Sequence, residues 1–241
     1  MCCIFATRKG LEMFRQRFNL FLTSASLVIA LMSCTGHYKI DGVVETIGYE
    51  GRELSLVEFL PFRITKIDSC VVNHGRFQME GNADSTRLVF LCKEGRPIIP
   101  LYIEKGHARV SLLPTEMTVS GTRQNDLFYN FLRKKIEFDN LYEDMSQKRV
   151  SMARSRVHFR SLELIQDSLR MIVEECEDMI CSFMADNYDE PAAVGVFMML
   201  SANPTTEVPS LLRRILDAAP DDFLNEPYVN GYANRISYER N

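Results

Sequence analysis

The sequence predicts an α+β protein, an N-terminal antiparallel β-sandwich or open barrel followed by an α-helical segment. Three observations lead there. Between residue 38 and about residue 121, short runs rich in β-branched and aromatic residues are punctuated by glycine. Beyond Thr122 glycine nearly vanishes, and apolar residues recur every three or four positions. The 241 residues are 46% apolar and 25% charged, the composition of a folded protein, which excludes a disordered, collagen-like or disulfide-dense miniature chain. Acidic residues exceed basic ones by four, which argues against nucleic acid as a partner.

The first element is an address. Arg8, Lys9, Arg15 and Arg17 precede an apolar run from Leu20 to Met32. That run suits the core of an export signal and is short of the roughly 20 residues that span a bilayer as a helix. It ends Leu31-Met32-Ser33-Cys34, which resembles the bacterial lipoprotein box, so residues 1–34 are expected to be a signal peptide ending at a lipidated Cys34. Met32 departs from the Ala, Ser, Thr or Val more usual at that place. Met13, followed by Phe14-Arg15-Gln16-Arg17, offers a second start that would make a more ordinary signal. Removal of residues 1–34 leaves 24 Lys and Arg against 31 Asp and Glu, an acidic body of net charge −7. An acyl anchor buries methylenes at about 0.8 kcal/mol each, enough to hold such a body at a membrane. Thr35-Gly36-His37 would tether it closely.

The second element is a β domain, expected over residues 35–122. Eight strands are predicted: Tyr38 to Ile47, Glu53 to Phe59, Ile64 to Val72, Arg76 to Glu80, Thr86 to Cys92, Ile98 to Glu104, His107 to Leu113 and Met117 to Ser120. Asn73-His74-Gly75, Glu94-Gly95 and Lys105-Gly106 carry tight-turn chemistry, which predicts that the strands they join pair as hairpins.

A helical domain is expected over residues 123–241. Leu127, Phe131, Phe138, Leu141 and Met145 fit one helix face. Leu162, Ile165, Leu169, Ile172, Cys176, Met179 and Phe183 advance by three and four along a second helix. Pro191, Pro204, Pro209 and Pro220 divide the rest into short helices, one running from Ser210 to Ala219 with Ser210 placed to cap it.

The strand residues resemble a known family. Tyr38-Lys39-Ile40-Asp41-Gly42, Ile67-Asp68-Ser69 leading through Val72 and Gly75 to Phe77 and Gly81, Tyr102-Ile103-Glu104-Lys105-Gly106, and Val119-Ser120-Gly121 before Asn125-Asp126 are similar to the domain-of-unknown-function 4369 family. The resemblance covers about residues 37 to 135. It implies a β domain behind a lipoprotein signal, then a helical segment, and commonly a thioredoxin-like module that performs disulfide exchange. This chain shows no Cys-x-x-Cys pair of the kind such a module needs.

Four cysteines remain beyond Cys34 for redox or structural work. Cys176 and Cys181, on one continuous helix, would have Cα atoms about 8.6 Å apart, past the roughly 7 Å that a disulfide spans. Cys176 also lies on the apolar stripe, as a small hydrophobe would. Cys70 and Cys92 lie in different predicted strands and either bridge in an oxidising envelope or remain buried free thiols. His37, His74, His107 and His158 show no metal-ligand spacing, and no nucleophile elbow, phosphate loop or His-Glu-x-x-His occurs. Asp68-Ser69 has no nearby base and reads as strand-entry chemistry. Lys148, Arg149, Arg154, Arg156 and Arg160 form a stretch without acids, read as a solvated helix face or a contact for anionic headgroups. The absence of Trp weakens a carbohydrate-binding reading.

No residue is expected to be catalytic and no cofactor or metal is implied. The expectation is a lipid-anchored envelope protein on the inner or outer membrane with its body in the periplasm, acting as a binding or scaffolding module. The alternative is an accessory of a thiol-disulfide exchange system that docks a separate thioredoxin-like envelope protein, and ligand or glycan capture is a third reading.

Overall fold

The computed structural model describes residues 36–60, 63–155, 159–202 and 210–238. Eight strands come first: β1 (Gly36–Val44), β2 (Glu53–Leu60), β3 (Arg63–Val71), β4 (Arg76–Ala83), β5 (Arg87–Lys93), β6 (Arg96–Ile103), β7 (Gly106–Leu112) and β8 (Met117–Ser120). Six helices follow: α1 (Arg123–Arg154), α2 (Phe159–Asn187), α3 (Pro191–Ser201), α4 (Ser210–Ala218), α5 (Asp221–Leu224) and α6 (Pro227–Tyr238). The strands form two four-stranded sheets, ordered β4-β1-β7-β8 and β3-β2-β5-β6. The predicted α+β class, a sandwich followed by helices, is the architecture observed.

Alternation builds the sandwich. Ile40 on β1, Leu54 and Leu56 on β2, Val89 and Leu91 on β5, and Leu101 and Ile103 on β6 are almost wholly buried, as period-two residues on facing sheets must be. Pairing follows expectation at one predicted turn and departs from it in three other places. Glu94 and Gly95 both have positive φ and turn β5 into β6 as a two-residue hairpin closed by Lys93 opposite Arg96. His74 and Gly75 take the same left-handed conformation, yet only one bridge, Asn73 with Arg76, forms before β3 and β4 part into different sheets. Lys105-Gly106 likewise passes the chain from β6 in one sheet to β7 in the other. The sandwich is also not wholly antiparallel, because β7 pairs β1 in parallel from Tyr38 opposite Gly106 to Val44 opposite Leu112. Of the five strands between them, β4 pairs β1 on its other side and the remaining four form the second sheet, so β7 comes back to β1 from across the sandwich.

Both helices of the α1–α2 hairpin are long, 32 and 29 residues. On α2 the predicted stripe is observed, with Ile165, Leu169 and Ile172 buried and Cys176, Met179 and Phe183 half-buried against the core. On α1, Phe131 is buried, but Leu141 is 47% exposed, and the deepest residues include Phe128 and Tyr129, which the predicted face omits. The first turns of α1 lie against the sandwich as well as against helices, so their apolar arc is wider than one seam. Helix α3 is buried on several sides at Ala192, Ala193, Val196 and Phe197. Phe197 meets Phe223 of α5 and Tyr232 of α6 edge to face at 5.9 and 5.4 Å. Residues 36–241 form one compact unit in which sandwich and helices share a single buried cluster. Among the described residues no helix is long and apolar enough to cross a membrane.

Candidate functional site

The joint between the β3-β2-β5-β6 sheet and the helices is made by polar groups. Asn125, fully buried on α1, accepts from the Tyr102 backbone N–H at 2.8 Å and donates to the Tyr102 carbonyl at 2.9 Å. It thereby pairs the free edge of β6 as a further strand would. Thr122, at the N-cap of α1, makes no side-chain cap bond. Glu104, at the end of the β6 segment, supplies one instead by accepting from the N–H groups of Gln124 at 2.7 Å and Asn125 at 3.4 Å. The Gln124 side chain in turn accepts from the Ala192 N–H at 3.0 Å and donates to Glu190 at 2.6 Å, which ties α1 to the start of α3. Arg123 pairs with the same carboxylate, and its hydrogen bond together with that of Gln124 holds the Glu190 pKa below the ordinary carboxylate value.

A cleft of about 390 Å³ opens beside this joint. Phe59 and Leu60 at the end of β2, and Leu88 and Phe90 on β5, form one wall. Tyr188, Val194, Met198 and Tyr228 form the other. Phe59 and Phe90 stack edge to face at 5.4 Å. Tyr102 lies beneath, its hydroxyl donating to the Pro191 carbonyl at 3.1 Å, and burial pushes its ionisation well above the ordinary phenol value. Glu190-Pro191 and Glu226-Pro227, two helix-starting Glu-Pro pairs, frame the rim with Asp189.

Arg87 is the one cationic side chain among the described residues that line the cleft. Its guanidinium stands 4.0 Å from Glu58, and its buried Nε has no hydrogen-bond partner among the described residues. Behind it the Tyr38 hydroxyl donates to Asp68 at 3.2 Å, and burial together with that carboxylate raises Tyr38 to about 12. With Glu58, Asp189, Glu190 and Glu226 against Arg87, the lining is acidic and aromatic. Among the described residues it includes no thiol and no imidazole. Such a lining can hold an apolar group between rings, a cation at the rim, and a hydrogen-bond acceptor at Arg87.

The residues singled out from sequence fall elsewhere. Cys34 lies outside the described residues. Cys70 and Cys92 are free thiols. β2 runs between their strands, with Cys70 opposite Leu54 and Cys92 opposite Ser55, so two strand spacings, roughly 10 Å, separate their backbones. That exceeds the roughly 7 Å a disulfide spans, and the bridge considered from sequence does not form. Burial is the main cause that raises all four thiols, Cys70 to about 11. Asp68 and Ser69 lie inside β3, not at its entry. His107 meets Asp41 at 2.6 Å on the outer face of the β4-β1-β7-β8 sheet. Among the described residues no group of three or more His, Cys, Asp or Glu is placed to hold a metal. In the basic stretch, Lys148 and Arg154 stay exposed near the tip of the hairpin, while Glu177 and Asp178 on α2 pair with Arg214 of α4.

Sequence reasoning missed Arg87, Glu58 and the cleft. The available signals were the apolar Phe59-Leu60 at a strand end and the two Glu-Pro pairs, each ordinary alone. Comparison with curated proteins and with solved structures finds no match. Residues 38–128 match the family model described as Domain of unknown function (DUF4369), so the resemblance carried by the strand residues holds across the sandwich and the opening turns of α1.

Proposed function

We propose that this chain is a lipid-anchored envelope protein, fastened through Cys34 with its body in the periplasm, and that the body is a non-catalytic binding module whose ligand occupies the sheet–helix cleft. The observation that carries the binding role is Arg87, the cation in an aromatic, otherwise acidic lining, whose buried Nε has no hydrogen-bond partner among the described residues. Its chemistry fits a protein segment that presents a backbone carbonyl to Arg87, a basic side chain to the rim carboxylates and an apolar residue to the Phe59 and Tyr228 walls. The raised thiols favour binding over disulfide exchange, because exchange needs a thiolate and burial disfavours it here. The family resemblance makes a separate thioredoxin-like envelope protein the first partner to test.

A photoreactive amino acid at Leu60 or Tyr228, in cells, is expected to capture a discrete protein adduct that Arg87→Ala abolishes and that the same group at Gln147 does not form. Equal capture at all three positions would remove the cleft as the binding site. Cys34→Ala should release the chain from membranes, and retention would contradict the anchor. Reduction of insulin by the purified protein, lost on replacing one cysteine, would overturn the non-catalytic reading.

A further inference from the structure

The outer face of α2 is open, and its residues are complementary to themselves. Leu164 is 62% exposed and Met171 57%, although both are large apolar side chains on a helix whose opposite stripe is buried. At 100° per residue, Arg160, Leu164, Ser168, Met171 and Glu175 lie on one face. The steps from Leu164 to Ser168, Met171 and Glu175 are four, three and four, the spacing of a coiled-coil seam. Neither Arg160 nor Glu175 has an ion-pair partner among the described residues, whereas acids one turn further on are engaged by Arg214.

When this face is laid antiparallel on a second copy of itself, about a point between Asp167 and Ser168, its apolar and charged residues meet their complements. Leu164 opposes Met171 of the second copy and Arg160 opposes its Glu175. A two-fold axis makes every contact twice, so the seam carries two apolar pairs and two opposite-charge pairs. Ser168 sits beside the axis, where a small side chain lets two helices approach to the usual 8–10 Å. A parallel arrangement in register would instead set Arg160 against Arg160 and Glu175 against Glu175.

We propose that two copies of this chain associate through α2, antiparallel, about a two-fold axis between Asp167 and Ser168. The surface stands apart from the cleft, so the pairing is independent of what the cleft binds. The occupant is a second copy and not an anionic surface, because an anionic surface would be repelled by Glu175, which shares the face with Arg160.

Sedimentation equilibrium of the full chain in nonionic detergent, from about 1 to 100 µM, tests it by mass action. The wild type is expected to form a dimer. Arg160→Glu creates two acid–acid contacts and is expected to raise the dissociation constant by about tenfold or more. Arg160→Glu combined with Glu175→Arg reverses both charges and should return it to within about threefold of wild type, a rescue that only mutual contact provides. Leu164→Asp should leave a monomer. A wild-type monomer throughout the range, a double variant no tighter than Arg160→Glu alone, or a dimer indifferent to Leu164→Asp would each overturn the proposal. All three positions are exposed, and far-UV circular dichroism checks that helix content is kept.

Discussion

At the scale of single residues, the joint between sheet and helices depends on amides and carboxylates that reach across long stretches of chain. Asn125 satisfies both backbone groups of Tyr102 in a place water does not reach, and its Nδ2 also donates to the Thr122 hydroxyl at 2.8 Å. Asn125→Ala strands a buried N–H and a buried carbonyl together, so the expected loss is about 3 kcal/mol in urea denaturation. A loss below about 0.5 kcal/mol would show that water replaces the amide. The sequence marks Asn125 only as part of the Asn125-Asp126 pair that follows Gly121. Its task was not legible, because nothing local says that β6 is a sheet edge or that α1 begins beside it. Arg87 was hidden for the same reason: an arginine at the start of a strand is ordinary until Glu58 and the start of α3 are placed around it.

At the scale of elements, close approach of α3 to β6 sets the depth of the cleft. A Cβ on Gly195 would stand 2.0 Å from the Tyr102 hydroxyl oxygen, so only glycine lets the helix come this near while Tyr102 bonds to Pro191. Gly195→Ala must push the ring or the helix aside, at an expected cost of about 1–3 kcal/mol, seen as a lower Tm and as weaker crosslinking from the cleft. An unchanged Tm would mean that α3 shifts freely. The elements themselves were largely readable. Strand positions follow from period-two runs between turn residues, and the α2 stripe follows from steps of three and four. Pairing was less readable. The turn at His74-Gly75 has the conformation of a hairpin, yet the strands it joins belong to different sheets, because a turn fixes only the first bridge and burial of both strand faces decides the rest.

At the scale of the whole molecule, a buried thiol and phenol and two hydrogen-bonded carboxylates bound the pH range of stability. Cys70 is raised from 9.0 to about 11 and Tyr38 from 10.0 to about 12, mainly by burial. The unfolded chain loses these protons first, so their contribution is complete below pH 9 and is lost as pH rises through the window up to about 12. Glu190 and Glu53 move the other way, lowered chiefly by hydrogen bonds from Arg123 and Lys66. Their contribution is present above the ordinary carboxylate value of 4.5 and is lost as pH falls through their folded values. The urea midpoint is therefore expected to hold steady from about pH 5 to pH 8.5 and to decline on either side. A midpoint still rising at about pH 10 would contradict the burial of these groups.

The sequence by itself determined the order and type of most elements and the family resemblance carried by the strand residues, because each is written in composition, short motifs or short-range periodicity. Only the tertiary structure decided which strands share a sheet, that β1 and β7 run parallel, that Cys70 and Cys92 stand apart across β2, and that Arg87 faces a cleft beneath α3. Those facts depend on contacts between residues tens of positions apart. They are set by the simultaneous burial of many surfaces, a constraint that no local pattern encodes.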